Sequence, residues 1–210
     1  INEHLEGYHY YVIMPHFADS DNQSFLNLLK KIKTDKLIIL DHLIDGVQDY
    51  YGAIFQDFKM DINNAMLEAL TLLKKYQKLI LVFPDKETFP YPEEISVGFK
   101  RFCSLNKFEF EVIDEIGAST AIEKGTAYVV IEENDLVNLI KTIRSRKLIL
   151  TKDVGILSYN DTALKEVLAE GISVITTDFV KMGQLAAEMI LNQKSATIKN
   201  DFKFIRRKSL

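Results

Sequence analysis

Histidine and cysteine, the side chains that most often bind metals or act as nucleophiles, are few and scattered in this sequence. The four histidines are His4, His9, His16 and His42. No two of them have the i, i+4 spacing that places two ligands on one helix face. The single cysteine, Cys103, follows Phe99 and Phe102 in a pattern typical of a buried helix face. We therefore expect no metal site and no catalytic thiol, and a lone cysteine fits a reducing, cytoplasmic compartment.

Motifs that form a phosphate site or activate a nucleophile are also missing from the sequence. The nine glycines never form the close, fixed spacings that let backbone N–H groups surround a phosphate. There is no G-x-S-x-G turn, and no serine or cysteine has a neighbour that identifies an activating base. Asp41 or Asp57 could be a phosphoryl acceptor at a strand end, but such aspartates are more often caps or turn formers. The sequence therefore favours a protein that is not an enzyme and uses no cofactor.

The elements that position these residues follow an alternating pattern. Short apolar, β-rich runs are separated by segments with helical periodicity, which is typical of an α/β fold built on parallel sheets. The predicted strands are 8–14, 37–40, 53–56, 79–83, 108–113, 127–131, 154–158, 172–176 and 202–206. The predicted helices include one after the cap candidates at 19–21, a stripe over 62–73, and 93–105, 134–144, 162–169 and 180–192.

One proline-rich loop, 83–92, directly follows a predicted strand. Its prolines stiffen the backbone. Ligands of parallel α/β sheets bind outside the carboxyl ends of the strands, so this loop is either a wall of a ligand cleft or a long surface connection.

Composition limits the function classes further. The chain has 210 residues, 47% hydrophobic residues and a formal net charge of -4. Its only short basic clusters, 144–147 and 206–208, are too short for a nucleic-acid surface. No apolar run approaches the roughly 20 residues that cross a bilayer, so we expect no membrane partner. Because the sequence starts at Ile1 rather than at methionine, we expect it to be a piece of a longer protein.

The most specific pattern spans 153–191 and reads DVGILSYNDTALKEVLAEGISVITTDFVKMGQLAAEMIL. It resembles the effector domains of LacI/GalR repressors, in which a D-[IV]-S-[VI]-[VI]-G-[FY]-D-[DN]-T strand leads through a helix and a T-T strand to an M-G-x-x-A-A-x-x-[LM]-L helix. The ending at 205–209 resembles the closing R-x-S strand of that family. Weaker matches are Asn134-Asp135-Leu136, Gly98-Phe99 and Phe55-Gln56-Asp57. The resemblance therefore covers the chain from about Tyr8 to its last residue.

This resemblance implies a two-lobed periplasmic-binding-protein-like type 1 fold, with parallel sheets flanked by helices and a small-molecule cleft at the strand ends. We expect the N-terminal lobe to comprise 1–76 plus about 161–192, and the C-terminal lobe 77–160 plus about 193–210. Family members have roughly two more β-α units before the strand at Tyr8. The first lobe is therefore expected to be incomplete at its N-terminus.

The resemblance also implies effector-binding residues. Asn160 matches the first aspartate of G-[FY]-D-D, and Asn134 matches the family's N-D turn. Asp57 and Phe179 match cleft-facing positions, and Glu132 and Glu133 adjoin Asn134, where carboxylates could accept hydrogen bonds from vicinal hydroxyls. His16 and Phe17, after the first predicted strand, complete the set. The alternatives stay open, since Asn134, Asn160 and Asp57 could be helix caps, Phe179 a hydrophobic staple and His16 a turn residue.

The function that the resemblance implies is ligand-gated transcription regulation. A small-molecule effector, expected to be a sugar, closes the lobes of a homodimer and alters DNA binding by an N-terminal helix-turn-helix domain that this chain lacks. The missing domain is either a lactose-repressor headpiece or a gluconate-repressor (GntR) type winged helix. The family's sugar-clamping arginine is replaced by Ile95, which favours a different ligand and the second of these domains. The alternative is a solute-binding protein of a transport system.

Overall fold

The computed structural model describes residues 7–15, 22–47, 49–84, 91–117 and 119–210. The chain divides into two compact units. The first comprises Ile1–Asp57 and Thr177–Asp201, and the second Phe58–Thr176 and Phe202–Leu210. Both are parallel α/β structures, as the alternation of apolar strands and periodic helices predicts.

The first unit has a four-stranded sheet of order β1-β2-β3-β9. Its elements are β1 (Tyr11–Ile13), α1 (Asn22–Leu29), β2 (Leu37–Asp41), β3 (Gly52–Phe55), α7 (Phe179–Leu191) and β9 (Thr197–Lys199). Strand β2 pairs with β1 and β3, and β3 pairs with β9, each in parallel. Gly52 lies under α7, where a Cβ atom would be 2.1 Å from the sulfur of Met189. Only glycine allows this close approach of the helix to the strand.

The second unit has a six-stranded sheet of order β10-β8-β7-β6-β4-β5. Its elements are α2 (Phe58–Glu68), α3 (Leu70–Leu73), β4 (Lys78–Val82), α4 (Glu93–Asn106), β5 (Glu109–Ile113), β6 (Thr126–Val130), α5 (Glu133–Ser145), β7 (Val154–Tyr159), α6 (Ala163–Val167), β8 (Ser173–Thr177) and β10 (Phe202–Ile205). Thr177, at the end of β8, is assigned to the first unit. Strands β6 and β7 are neighbours, with Val130 opposite Ser158.

Two apolar clusters stabilise the second unit. One includes Phe99 and Phe102 of α4 with Leu79 and Leu81 of β4, and the other includes Leu139 of α5. Helices α2 and α4 pack closely because α4 carries Gly98, where a Cβ atom would be 2.3 Å from the carbonyl oxygen of Lys59. The packed sheet and helices thus hold the carboxyl ends of the strands, where the candidate site lies, in fixed positions.

Several predicted elements differ in extent from the observed ones. The stripe over 62–73 forms two helices, α2 and α3, because the backbone at Ala69 (ψ -5°) interrupts the α-helix. The helix predicted over 162–169 ends at Val167 and continues as a 3₁₀ turn, Leu168–Glu170. Strand β9 was not predicted, since three residues are too few to show a periodicity. The cap candidates at 19–21 lie outside the described residues.

The observed units also have bounds other than those expected for the lobes. Residues 58–76 belong to the second unit, in which α2 packs on α4. Residues 161–176 belong there as well, since β8 pairs with β7. Residues 193–201 belong to the first unit, where β9 pairs with β3. In the described part of the chain, no helix is both long and apolar enough to span a membrane.

Candidate functional site

A pocket of about 150 Å³ lies in the second unit, where the neighbouring strands β6 and β7 end. It is lined by Tyr91, Ile131, Glu132, Glu133, Tyr159, Asn160, Thr162 and Lys165. We call it the Asn160 pocket. It includes three of the eight predicted effector-binding residues, Glu132, Glu133 and Asn160. Because parallel strands end at the same edge of a sheet, residues far apart in the sequence meet here.

Asn160 directly follows β7 and has a left-handed backbone conformation, with φ of 58°. Asparagine adopts this conformation more readily than most residues. Its N–H donates a hydrogen bond of 2.8 Å to the carbonyl oxygen of Ile175, which ties the turn to β8. Within the described structure its side-chain Oδ1 is buried and has no hydrogen-bond partner. An unsatisfied buried acceptor is costly unless a ligand or water supplies a donor.

Lys165, in α6, stabilises the turn at Asn160 through its side chain. The side chain is buried, with only 2% of the residue exposed. Its Nζ donates hydrogen bonds of 2.9 Å to the carbonyl oxygens of Tyr159 and Asn160. Burial lowers the pKa of Lys165, while the nearby carboxylates of Glu133, Asp161 and Glu132 act in the opposite direction. The ammonium group therefore holds the backbone that carries Asn160.

Two carboxylates, those of Glu132 and Glu133, also line the pocket. Glu132 precedes α5 and accepts a hydrogen bond from the hydroxyl of Tyr91. Glu133, in the first turn of α5, accepts one of 3.4 Å from the hydroxyl of Thr162. Burial raises the pKa of Tyr91, and the adjacent Glu132 adds to that shift, so the phenol remains a neutral donor.

Asp161 and Arg207 form an ion pair beside the pocket. The guanidinium donates hydrogen bonds of 2.8 and 2.7 Å to the two carboxylate oxygens. This bidentate arrangement lowers the pKa of Asp161. Because Arg207 takes both of its oxygens, the carboxylate of Asp161 serves the structure of the turn rather than a ligand.

The other predicted site residues lie elsewhere. Asn134 is exposed in the first turn of α5 and is not among the residues that line the Asn160 pocket. Asp57 is half-buried between β3 and α2. Phe179 is the first residue of α7 and is 45% exposed, directly after the N-cap Asp178. His16 and Phe17 lie outside the described residues.

Five of the lining residues were not predicted, namely Tyr91, Ile131, Tyr159, Thr162 and Lys165. Tyr91 lies in the proline-rich loop that had been given two interpretations, and it contributes to the pocket wall. Thr162 follows the Asn160-Asp161 pair within the motif that indicated the site. Lys165 had no signal, because a lysine in a short amphipathic helix is normally exposed.

The available chemistry is that of hydrogen bonding. Within the described residues, no group of three or more histidine, cysteine or acidic side chains could hold a metal ion. Cys103 is buried, and burial raises the pKa of its thiol to about 12, so the thiol stays protonated. Ile95, at the position of the family's clamping arginine, is 1% exposed and belongs to the core of the second unit.

Comparisons with known proteins agree with this architecture. Residues 71–205, more than half of the chain, match the family described as periplasmic binding protein-like domain. A comparison with curated proteins found no match.

Similar solved structures include several repressors. The Escherichia coli transcriptional repressor ascG is 16% identical with a TM-score of 0.71, covering 96% of this chain and 78% of the repressor. An Escherichia coli sugar-binding transcriptional regulator of the LacI family, complexed with phosphate, is 16% identical with a TM-score of 0.68, covering 95% and 76%. A dimeric Lac repressor with an 11-residue C-terminal deletion is 14% identical with a TM-score of 0.72, covering 99% and 79%. These likenesses show the expected fold, with its parallel sheets flanked by helices.

Proposed function

Because the chain belongs to the periplasmic binding protein-like domain family, we propose that it is the effector-sensing domain of a bacterial transcription regulator of the LacI type. The proposed effector is a small polyol such as a sugar, and the proposed role is regulatory rather than catalytic. The likeness in fold to a sugar-binding regulator and to two repressors supports this proposal. DNA binding is assigned to a separate N-terminal domain.

The observation that carries the proposal is the unsatisfied Oδ1 of Asn160 in a pocket where two strands end. Buried polar atoms that serve only the fold are nearly always hydrogen-bonded. A ligand hydroxyl that donates to this oxygen would complete its hydrogen bonding. Asn134, Asp57, Phe179, His16 and Phe17 remain proposed effector contacts on the family resemblance alone.

The proposed output is a change in the arrangement of the two lobes. A ligand shifts a conformational equilibrium only by its difference in affinity for the two states, so the effector must bind one state more tightly. In a homodimer, such a shift changes how two DNA-binding domains meet paired half-sites. None of the findings concerns a gluconate-repressor (GntR) type winged helix, which stays a prediction.

A second candidate function is solute binding for a transport system. The family's own description favours it, since the name refers to periplasmic binding proteins. Both functions use the same ligand site. They differ in the partner that responds to ligand binding, which is a DNA-binding domain in a regulator and a transport system in a solute-binding protein. Binding of a labelled operator library by the full-length protein, with and without ligand, distinguishes a regulator from a transport component.

The ligand site is tested by Asn160→Gly, which removes the amide but keeps a residue that adopts positive φ without strain. We expect a panel of sugars and sugar derivatives (glucose, galactose and mannose with their 2-amino forms and uronic acids) to include one that raises the melting temperature of the wild-type protein. In Asn160→Gly its affinity is expected to fall at least tenfold, by loss of a buried hydrogen bond of about 1.5 kcal/mol. Isothermal titration calorimetry measures the affinity.

The matched control is Asn106→Ala. Asn106 is also half-buried, but it lies at the end of α4 and donates a hydrogen bond of 2.8 Å to the carbonyl oxygen of Phe102. This variant is expected to lose some stability and to keep the ligand affinity. If no sugar stabilises the wild-type protein, or if Asn106→Ala weakens binding as much as Asn160→Gly, the proposed site is wrong.

A further inference from the structure

We infer that the group of the effector that enters the Asn160 pocket is an amine, so that the effector class is an amino-substituted polyol rather than a neutral or an acidic one. This inference rests on the proposed function and adds the chemical class of the ligand. It follows from which hydrogen-bonding groups of the pocket are already used and which remain open.

The hydroxyl and ammonium donors of the pocket are mostly used within the protein. The hydroxyl of Tyr91 donates to Glu132, and the hydroxyl of Thr162 donates to Glu133. Lys165 gives two of its three N–H bonds to the carbonyl oxygens of Tyr159 and Asn160. Among these donors, a ligand acceptor such as a carboxylate or a phosphate would find only the third N–H of Lys165 and would otherwise compete with bonds that hold the pocket together.

The acceptors of the pocket remain available. The Oδ1 atom of Asn160 is buried without a partner among the described residues. The carboxylates of Glu132 and Glu133 each accept the one side-chain hydrogen bond given above, and each has further lone pairs. An ammonium group with three N–H donors matches such a set of acceptors, whereas a single hydroxyl supplies only one donor.

The charge of the pocket favours the same ligand. Its two carboxylates outweigh its one cation, Lys165, among the described lining residues, even with the roughly half positive charge at the N-terminus of α5. Asp161 is neutralised by Arg207 and adds little.

The experiment compares matched ligands on the same sugar scaffolds. Glucose, galactose and mannose are titrated by calorimetry beside their 2-amino forms and their uronic acids. We expect one amino form to bind the wild-type protein at least tenfold more tightly than its neutral and acidic counterparts. In Glu132→Gln the affinity for that amino form should fall about tenfold, while the affinity for the neutral form stays within threefold, because the amide still accepts from Tyr91.

Two further variants complete the design. Asn160→Asp keeps the acceptor Oδ1, replaces the NH2 donor with a second acceptor oxygen and adds a negative charge, so it should retain or increase the affinity for the amino form. Glu109→Gln removes an exposed carboxylate at the start of β5, at the opposite end of the sheet, and should change no affinity.

The outcomes separate the two proposals. If a neutral or acidic form binds as tightly as its amino form, or if Glu132→Gln weakens all forms equally, the amine assignment is overturned while the effector site stands. If no sugar of any form binds, the effector site itself is overturned as well.

Discussion

Two polar clusters of the second unit have opposite hydrogen-bonding states. In the cluster that we call the serine clasp (Ser173, Ser209 and the backbone of Arg207), each of the two hydroxyls both donates and accepts a hydrogen bond. The hydroxyl of Ser209 accepts from the N–H of Ser173 and donates to the carbonyl oxygen of Ile156, each at 2.7 Å. In the Asn160 pocket, the Oδ1 of Asn160 is buried and has no partner in the described part of the chain. The hydrogen bonds of the serine clasp stabilise the fold, whereas the Asn160 pocket contains an acceptor that a ligand donor could bind.

This comparison predicts that equally small side-chain changes have different consequences in the two clusters. Removing a group from the serine clasp leaves former partners buried and unsatisfied, so stability falls. Removing the Oδ1 of Asn160 from the pocket leaves no described protein partner unsatisfied, so ligand affinity falls instead. The four predictions below run from the largest expected loss of stability to the smallest.

Ser209→Ala is expected to cost about 3 kcal/mol of unfolding free energy, because a buried N–H of Ser173 and a carbonyl oxygen of Ile156 both lose their partner. Ser173 and Ser209 are both 0% exposed, so water does not replace the missing hydroxyl. For a chain of this length the melting temperature should fall by roughly 6–12 °C. Differential scanning calorimetry measures the change. A loss below 0.5 kcal/mol would mean that the clasp is not structural.

Asp161→Asn should cost about 1–2 kcal/mol at neutral pH, since the half-buried guanidinium of Arg207 loses its bidentate carboxylate partner and keeps only the longer, 3.5 Å contact with Glu166. Arg207 lowers the pKa of Asp161 in the folded state, so the carboxylate contributes stability above its unfolded pKa. That contribution is lost as the pH falls through the lowered folded pKa.

The difference in melting temperature between wild type and Asp161→Asn should therefore shrink from pH 7 toward pH 2. A difference that stays constant over this range would contradict the role of the ion pair. Asp201→Asn is a suitable control, because its ion pair with Lys181 is largely exposed and belongs to the first unit.

The fold could be predicted from the sequence because its signals are local. The apolar runs of β4, β6 and β7 are continuous, as in strands buried on both faces of a parallel sheet, and the helices between them have clear periodicity. The family resemblance also indicated Asn160, Glu132 and Glu133. Strand β9 was missed since only its pairing with β3 makes it a strand.

The remainder of the site depends on contacts between distant parts of the chain. Tyr91 reaches Glu132 across 41 positions, and its hydroxyl could not be assigned a partner from its neighbours. The burial of Lys165 results from the packing of α6 against the end of β7. The same holds for the bounds of the two units, which follow strand pairing rather than sequence order.

Lys165→Met is expected to change stability by only about 1 kcal/mol. Two carbonyl oxygens lose a donor, but a charge that is costly to bury is also removed. The turn that presents Asn160 would be less well fixed, so ligand affinity should fall about tenfold. Lys165→Arg, which retains donors, should recover part of that affinity. If Lys165→Met lowers the unfolding free energy by more than 3 kcal/mol and leaves the ligand affinity unchanged, the role of Lys165 is structural, like that of the serine clasp.

Asn160→Gly should leave the unfolding free energy within about 0.5 kcal/mol of wild type. Glycine adds chain entropy to the unfolded state, which costs roughly 0.5–1 kcal/mol, but it relieves the left-handed backbone and removes a buried oxygen without a partner. Urea unfolding without ligand measures the difference. A loss of 2 kcal/mol or more would show that the Asn160 amide has a structural partner. The polar groups of the pocket would then stabilise the fold, as those of the serine clasp do, and would not be available to bind a ligand.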